Sequence, residues 1–188
     1  MEQNKIQEAA RKIAEYHKEQ QVSNVSGKKK GCLVVMEDKP PVADNTTLML
    51  YVLKLRAVDE GRPSVFFSLG VPNVDIVNQL IAITTGIDIE KINSLHLGND
   101  EWKLIDKKLP LLVDSPLYVD DSVITLPELR MKMKDLADNG VDFVVIDHAQ
   151  KLQLYCEIAA EGMSTDNILN GVKITAEQLG MTVIAVVD

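Results

Sequence analysis

Asp147 has the sequence surroundings best suited to chemistry. It closes the run Val141-Asp142-Phe143-Val144-Val145-Ile146, which follows the turn pair Asn139-Gly140 and leads into His148. A short apolar run rich in β-branched residues reads as a strand buried on both faces. Parallel α/β sheets bind ligands outside the carboxyl ends of their strands. An acid there can hold a metal ion through water in a nucleotide-binding sheet. The alternative role for Asp147 is local, ending the strand and capping a turn.

Other chemistries find little support. His17, His96 and His148 have no metal-ligand spacing, which argues against a zinc site. Cys32 and Cys156 stand far apart, as two reduced thiols in a cytoplasmic protein would. The net charge of −8 argues against broad, charge-driven nucleic-acid binding, which needs clustered Lys and Arg. No run approaches the roughly 20 apolar residues of a membrane span, and the polar amino terminus lacks a secretory core. With 188 residues, 46% of them hydrophobic, the chain suits one domain with a sizeable core.

The elements that must position Asp147 follow in order. Ile6, Ala9, Ile13 and Tyr16 form a thin apolar stripe on a helix over 5–20, suited to docking on a neighbour or packing on its own domain. A polar linker, 21–30, ends in Lys28-Lys29-Lys30. Residues 1–30 are thus expected as helix and linker, and 31–188 as the folded domain. Leu33–Met36 is the first strand, and a loop leads to Thr46 or Thr47 as N-cap of a buried helix ending near Asp59. The second strand is Val65–Leu69, and Asn73 is expected to cap a helix that Gly86 stops. Further helices start at Asp88 and at Asn99 or Asp100, with Pro110 expected to kink or end the latter. Leu117–Asp121 forms the third strand, and Thr125-Leu126-Pro127-Glu128 reads as a capping box with proline in the first turn. The Asp147 strand comes fourth. After a long loop, a helix carrying Ile168, Val172, Ala176 and Leu179 leads to the fifth strand, Thr182–Val187. Strands alternating with helices predict a parallel sheet of about five strands with helices on both faces.

Several segments now form a series: Pro63–Leu69, Leu117–Asp121, Ile124–Arg130, Val145–Gln150, Asn99–Trp102 and Val172–Gly180. In order and spacing, from about Leu33 to the end, they resemble the RecA-like ATPase domain of DnaB-type replicative DNA helicases. The resemblance implies a RecA-like, P-loop NTPase-type fold and phosphoryl transfer from ATP with Mg²⁺. It also implies where the parts should lie. The phosphate loop matches Lys39-Pro40-Pro41-Val42-Ala43-Asp44-Asn45-Thr46. Asp44 stands at a family glycine, Asn45 at the phosphate-binding lysine, and only Thr46 matches the Mg²⁺-binding threonine. The catalytic glutamate position is Gly70, and the polar sensor pair is Val187-Asp188. Asp147 and Gln150 match the family. A carboxylate about 4 Å from a phosphate opposes it by roughly 4 kcal/mol at a surface-like dielectric. The loop 151–166 carries one lysine against Glu157, Glu161 and Asp166.

Lys39, Asp44, Asn45, Thr46, Asp147 and Gln150 are therefore expected as vestigial nucleotide-binding positions. Thr46 and Asp147 would hold Mg²⁺ only if the ion is retained, and Gly70 marks a lost catalytic position. The expectation is a catalytically degenerate helicase homologue without a cofactor, a protein-interaction or regulatory module linked to DNA replication. Its partner would be itself or a full-length replicative helicase, with weak or absent DNA binding. The alternatives are an ATPase or helicase subunit active only beside intact subunits, with ATP and Mg²⁺ as cofactors, and a truncated remnant.

Overall fold

The computed structural model describes residues 8–13, 15, 31–37, 45–123, 125–152 and 165–187. Its centre is a parallel sheet in the order β1-β5-β4-β2-β3. The strands are β1 (Cys32–Glu37), β2 (Ser64–Ser68), β3 (Leu117–Asp120), β4 (Phe143–Asp147) and β5 (Thr182–Val187). β2 and β4 are buried at every residue and β5 at all but its first, whereas the edge strands β1 and β3 are only partly covered. The apolar runs thus mark the middle of the sheet, where both faces need covering.

Helices α2 (Asn45–Leu53), α3 (Asn73–Thr85), α4 (Ile89–Ser94), α5 (Asn99–Val113), α6 (Leu126–Asp138) and α7 (Thr165–Leu179) connect the strands. One core layer joins α6 and α7 to a face of the sheet through Leu129, Met133, Val172 and Ala176. The other packs α2 and α3 through Met49, Leu53, Ile76 and Leu80 against Phe66, Phe143 and Ile184. The helical residues 8–13, here α1, join this second layer by burying Ala10 and packing Ile13 beside it. The expected stripe therefore docks on its own domain, and it turns in Ala10 where the sequence suggested Ala9. Ile6 and Tyr16 lie outside the described residues.

Local signals set several boundaries. Thr125 Oγ1 accepts the Glu128 N–H at 3.3 Å and Glu128 returns its carboxylate to the Thr125 N–H at 2.9 Å, completing the capping box. Asp88 caps α4 by accepting the Glu90 N–H at 2.8 Å. Gly86 ends α3 in the left-handed region, φ 80°.

Three expectations need correction. Neither Thr46 nor Thr47 caps α2, which already begins at Asn45. Asn73 is the first residue of α3, not its cap; its N–H is satisfied by Asp121 Oδ2 at 2.8 Å. Pro110 does not end α5, which runs on to Val113 with the Asp114 N–H donating to the Pro110 carbonyl at 2.9 Å. A proline costs the helix only its own N–H bond and the fit to the preceding turn, and α5 absorbs both close to its end.

Gly31, just before β1, is fixed by proximity. A Cβ there would collide with the backbone carbonyl of Ala176 in α7. Backbone cannot swing aside as a side chain can, so Gly31→Ala is expected to lower stability by about 3 kcal/mol, at the upper end of overpacking costs. Urea unfolding checks this, and a midpoint equal to that of the wild type would show that β1 and α7 can separate cheaply.

Candidate functional site

The carboxyl ends of β4 and β2 meet the start of α2. Asp147, last in β4, is fully buried. Thr46, in the first turn of α2, donates its hydroxyl to Asp147 Oδ1 at 2.9 Å. His148 Nδ1 lies 3.1 Å from Asp147 Oδ2. A buried carboxylate needs such partners, because burial strips it of water. Thr46 and Asp147, far apart in sequence, are thus brought together.

Asn45 turns away from this centre. Its buried side-chain amide donates to the backbone carbonyl of Glu37, at the end of β1, at 3.2 Å. It therefore ties the start of α2 back to the strand that precedes it. Lys39 and Asp44 lie outside the described residues, as does Asp188; Val187, beside it, is a buried residue of β5.

Gly70 lies just past β2. Its segment is fixed by the Leu69 N–H donating to the Asp147 carbonyl at 3.3 Å and by Ser68 Oγ donating to the Val71 carbonyl at 2.5 Å. Beyond Asp147 the chain reverses sharply. His148 sits in the left-handed region at φ 56°, a conformation uncommon outside glycine, and Ala149–Lys151 form a single 3-10 turn that includes Gln150. This reversal brings the His148 ring and Lys151 back over Gly70. A Cβ at position 70 would stand 3.2 Å from His148 Cγ and against Lys151 Nζ. No spacing rule points to Lys151 or His148 here, since both reach Gly70 only because β2 and β4 are neighbours.

The aspartates after β3 are engaged structurally. Asp120 pairs with Lys132 of α6 and accepts from the Ser122 hydroxyl at 2.7 Å. Burial pushes its carboxyl up, but Lys132 and Ser122 outweigh that, holding it below the usual range. Asp121 serves the start of α3. Among the described residues no group of three His, Cys, Asp or Glu side chains could hold a metal. At the ends of β4 and α2, the described residues Thr46 and Asp147 offer a cation one hydroxyl and one carboxylate. That set suits a Mg²⁺ ion bound chiefly through nucleotide phosphates, not an ion held by protein alone. No helix among the described residues is long and apolar enough to cross a membrane.

A parallel sheet with an acid closing β4 and a hydroxyl of the facing helix bonded to it defines the class, a RecA-like ATPase-type domain. The chain belongs to the DnaB-like helicase C-terminal domain family, whose model matches residues 7–188. It is 26% identical over 157 residues to the replicative DNA helicase DnaB of Leifsonia xyli subsp. xyli (strain CTCB07), covering 82% of this chain and 34% of that protein. The chain therefore spans about a third of that curated relative's length. Among solved structures it is similar to the ATPase domain of G40P, with a TM-score of 0.71 and 19% identity over 85% of this chain and 57% of that one. A DnaB-like replicative helicase whose structure describes its interactions with primase gives 0.67 and 18%, over 85% of this chain and 39% of that one. At those identities the structural likeness speaks to fold alone.

Proposed function

We propose that this chain is a DnaB-like helicase domain that keeps the RecA-like fold without ATP chemistry and acts as a protein-interaction or regulatory module in DNA replication. The observation that carries the reading is at Gly70. Where the resemblance implies a water-activating carboxylate there is no side chain, and a lysine ammonium and an imidazole ring fill the space above it. A cation cannot take a proton from water. Losing one group that stabilises a transition state costs about a hundred- to a thousand-fold in rate. Asn45 adds to the case, because a neutral amide committed to the Glu37 carbonyl brings no charge to a phosphate. Without phosphates to supply its remaining ligands, Mg²⁺ has only Thr46 and Asp147 among the described residues, so the ion would leave with the nucleotide.

In this reading residues 31–188 are the degenerate domain, and 1–30 are a helix and linker of which residues 8–13 pack on that domain through Ala10 and Ile13. The partner is a second copy or a full-length replicative helicase; primase, with which one structural neighbour interacts, is a further partner to try. One observation favours a second reading, that of an ATPase subunit active beside intact ones: the Thr46–Asp147 bond is in place.

Calorimetry with MgATP separates the two. The degenerate domain binds no tighter than millimolar, and a micromolar Kd would overturn the proposal. Single-stranded DNA supplies an independent arm. With a net charge of −8, no anisotropy change is expected with a labelled oligonucleotide at physiological salt. Submicromolar binding with a steep salt slope would require a basic face instead.

A further inference from the structure

Where α1 docks, it closes one side of an open cavity of about 130 Å³. Ala10 and Arg11 of α1 face Tyr51 of α2, Ile83 of α3, and Lys54 and Leu55 of the helical turn that continues α2. The polar groups around it differ in their commitments. Lys54 Nζ already holds Asp59 Oδ2, also in the lining, at 2.9 Å. Arg11 pairs with no acid among the described residues. Tyr51 is only 9% exposed, yet its hydroxyl bonds to no described residue. Buried phenols are ordinarily hydrogen-bonded. An uncommitted phenol and an uncommitted guanidinium on one cavity point to a ligand that accepts hydrogen bonds.

We propose that this cavity binds a small monocarboxylate with an apolar body, and that the bound ligand fastens α1 to the domain. The Arg11 guanidinium is a planar fork that matches a carboxylate, and the Tyr51 hydroxyl is a further donor. Lys54 and Asp59 cancel, so the lining carries one surplus positive charge, suited to a single negative one. A phosphate dianion fits less well. Asp59 opposes both of its charges, and the side chains of Ala10, Leu55 and Ile83 give it nothing to bond. Those same walls suit hydrocarbon. A cavity of roughly 150 Å³ takes up benzene, so the apolar body is a ring or chain of about six carbons.

The fastening follows from where the donors stand. Arg11 is on α1 and Tyr51 on α2, so a carboxylate between them joins the two. Among the described residues α1 otherwise rests on buried Ala10 and on Ile13 beside it. A ligand that binds only the docked form shifts docking by 1 + [L]/Kd, about elevenfold at ten times Kd. No nucleotide enters this argument or its test, so it stands or falls separately from the lost ATP chemistry proposed above.

Benzoate is the test ligand. Titrated into the methyl-labelled full chain, it is expected to shift the Leu55 and Ile83 signals saturably. A Kd on the order of 1 mM is expected for a ligand of about nine heavy atoms. Benzamide, its neutral isostere, and inorganic phosphate should each bind at least about tenfold more weakly, because the first lacks the charge and the second the apolar body. R11A, at an exposed helical position, should weaken benzoate by about tenfold or more. Y51F should weaken it about fivefold, the worth of one ordinary hydrogen bond. D59N should tighten it about fivefold, as expected for removing one like charge at the dielectric of water. All three variants should keep the wild-type circular dichroism spectrum.

Hydrogen exchange supplies the second readout. With benzoate at ten times Kd, the amides of residues 8–13 should exchange up to about elevenfold more slowly in the wild type and at an unchanged rate in R11A. No saturable methyl shift at about twenty times the expected Kd overturns the site. So does benzamide binding as tightly as benzoate, or R11A binding benzoate as the wild type does. Binding that leaves exchange at residues 8–13 unchanged overturns the fastening of α1.

Discussion

Replacing Asp44 by Gly and Asn45 by Lys together is expected to tighten MgATP binding by about a thousandfold, while hydrolysis stays at background. The binding gain has an electrostatic source. One carboxylate about 4 Å from a phosphate costs roughly 4 kcal/mol at a surface-like dielectric, or about three powers of ten in affinity, and a lysine adds attraction where Asn45 gives none. Loss of the Asn45 amide from the Glu37 carbonyl, 3.2 Å away, offsets part of this, at about 1 kcal/mol for an ordinary hydrogen bond. Hydrolysis does not return because position 70 still lacks a carboxylate and Lys151 still sits above it. Fluorescent-nucleotide titration and phosphate release read the two effects separately. Unchanged affinity would mean that the loop before Asn45 fails for reasons of shape, and recovered turnover would mean that Gly70 is no defect.

Asp142→Asn is expected to destabilise the domain by about 3–5 kcal/mol, the cost of leaving a buried charge without its partner. Arg56 is fully buried in the π-helical continuation of α2, Lys54–Asp59, and donates to Asp142 Oδ1 at 2.9 Å. Its guanidinium lies 4.3 Å from the centre of the Phe143 ring. Burial, and then the charge of Arg62, lower its pKa to about 10, against the pull of Asp142 and Glu60. It therefore stays a cation at neutral pH and needs its counter-ion. Arg62, 3.6 Å from Asp142 Oδ2, shares that carboxylate and repels Arg56 once it is gone. Since domains of this kind have about 5–15 kcal/mol in total, the variant loses much of its margin. The double variant R56M/D142N should recover to within about 1 kcal/mol of the wild type, because an apolar side chain of similar volume removes the charge that needs pairing. Urea midpoints at constant slope measure both. A single variant within 1 kcal/mol of the wild type would mean that water reaches Arg56 in solution.

The sequence by itself determined the middle of this protein. The runs at Val65–Phe67, Phe143–Ile146 and Val183–Val187 are apolar at successive positions, so they had to be buried on both faces whatever their neighbours. Thr125 and Glu128 carry both halves of a cap within one turn, and Gly86 and Gly180 supply the left-handed residue that ends a helix. These signals are local, resting on hydropathy and on backbone bonds a few residues long.

Tertiary structure decided the rest. Lys151 over Gly70, Arg56 against Asp142, and Asn45 turned to Glu37 join residues that no spacing rule connects. Lys151 reaches Gly70 because the order β1-β5-β4-β2-β3 sets β4 beside β2. Pro110 shows the converse, a strong local signal overridden because the helix around it had only a few residues left to run. Burial is written residue by residue, but the company a side chain keeps depends on strand order, and that is settled only when the sheet closes its core.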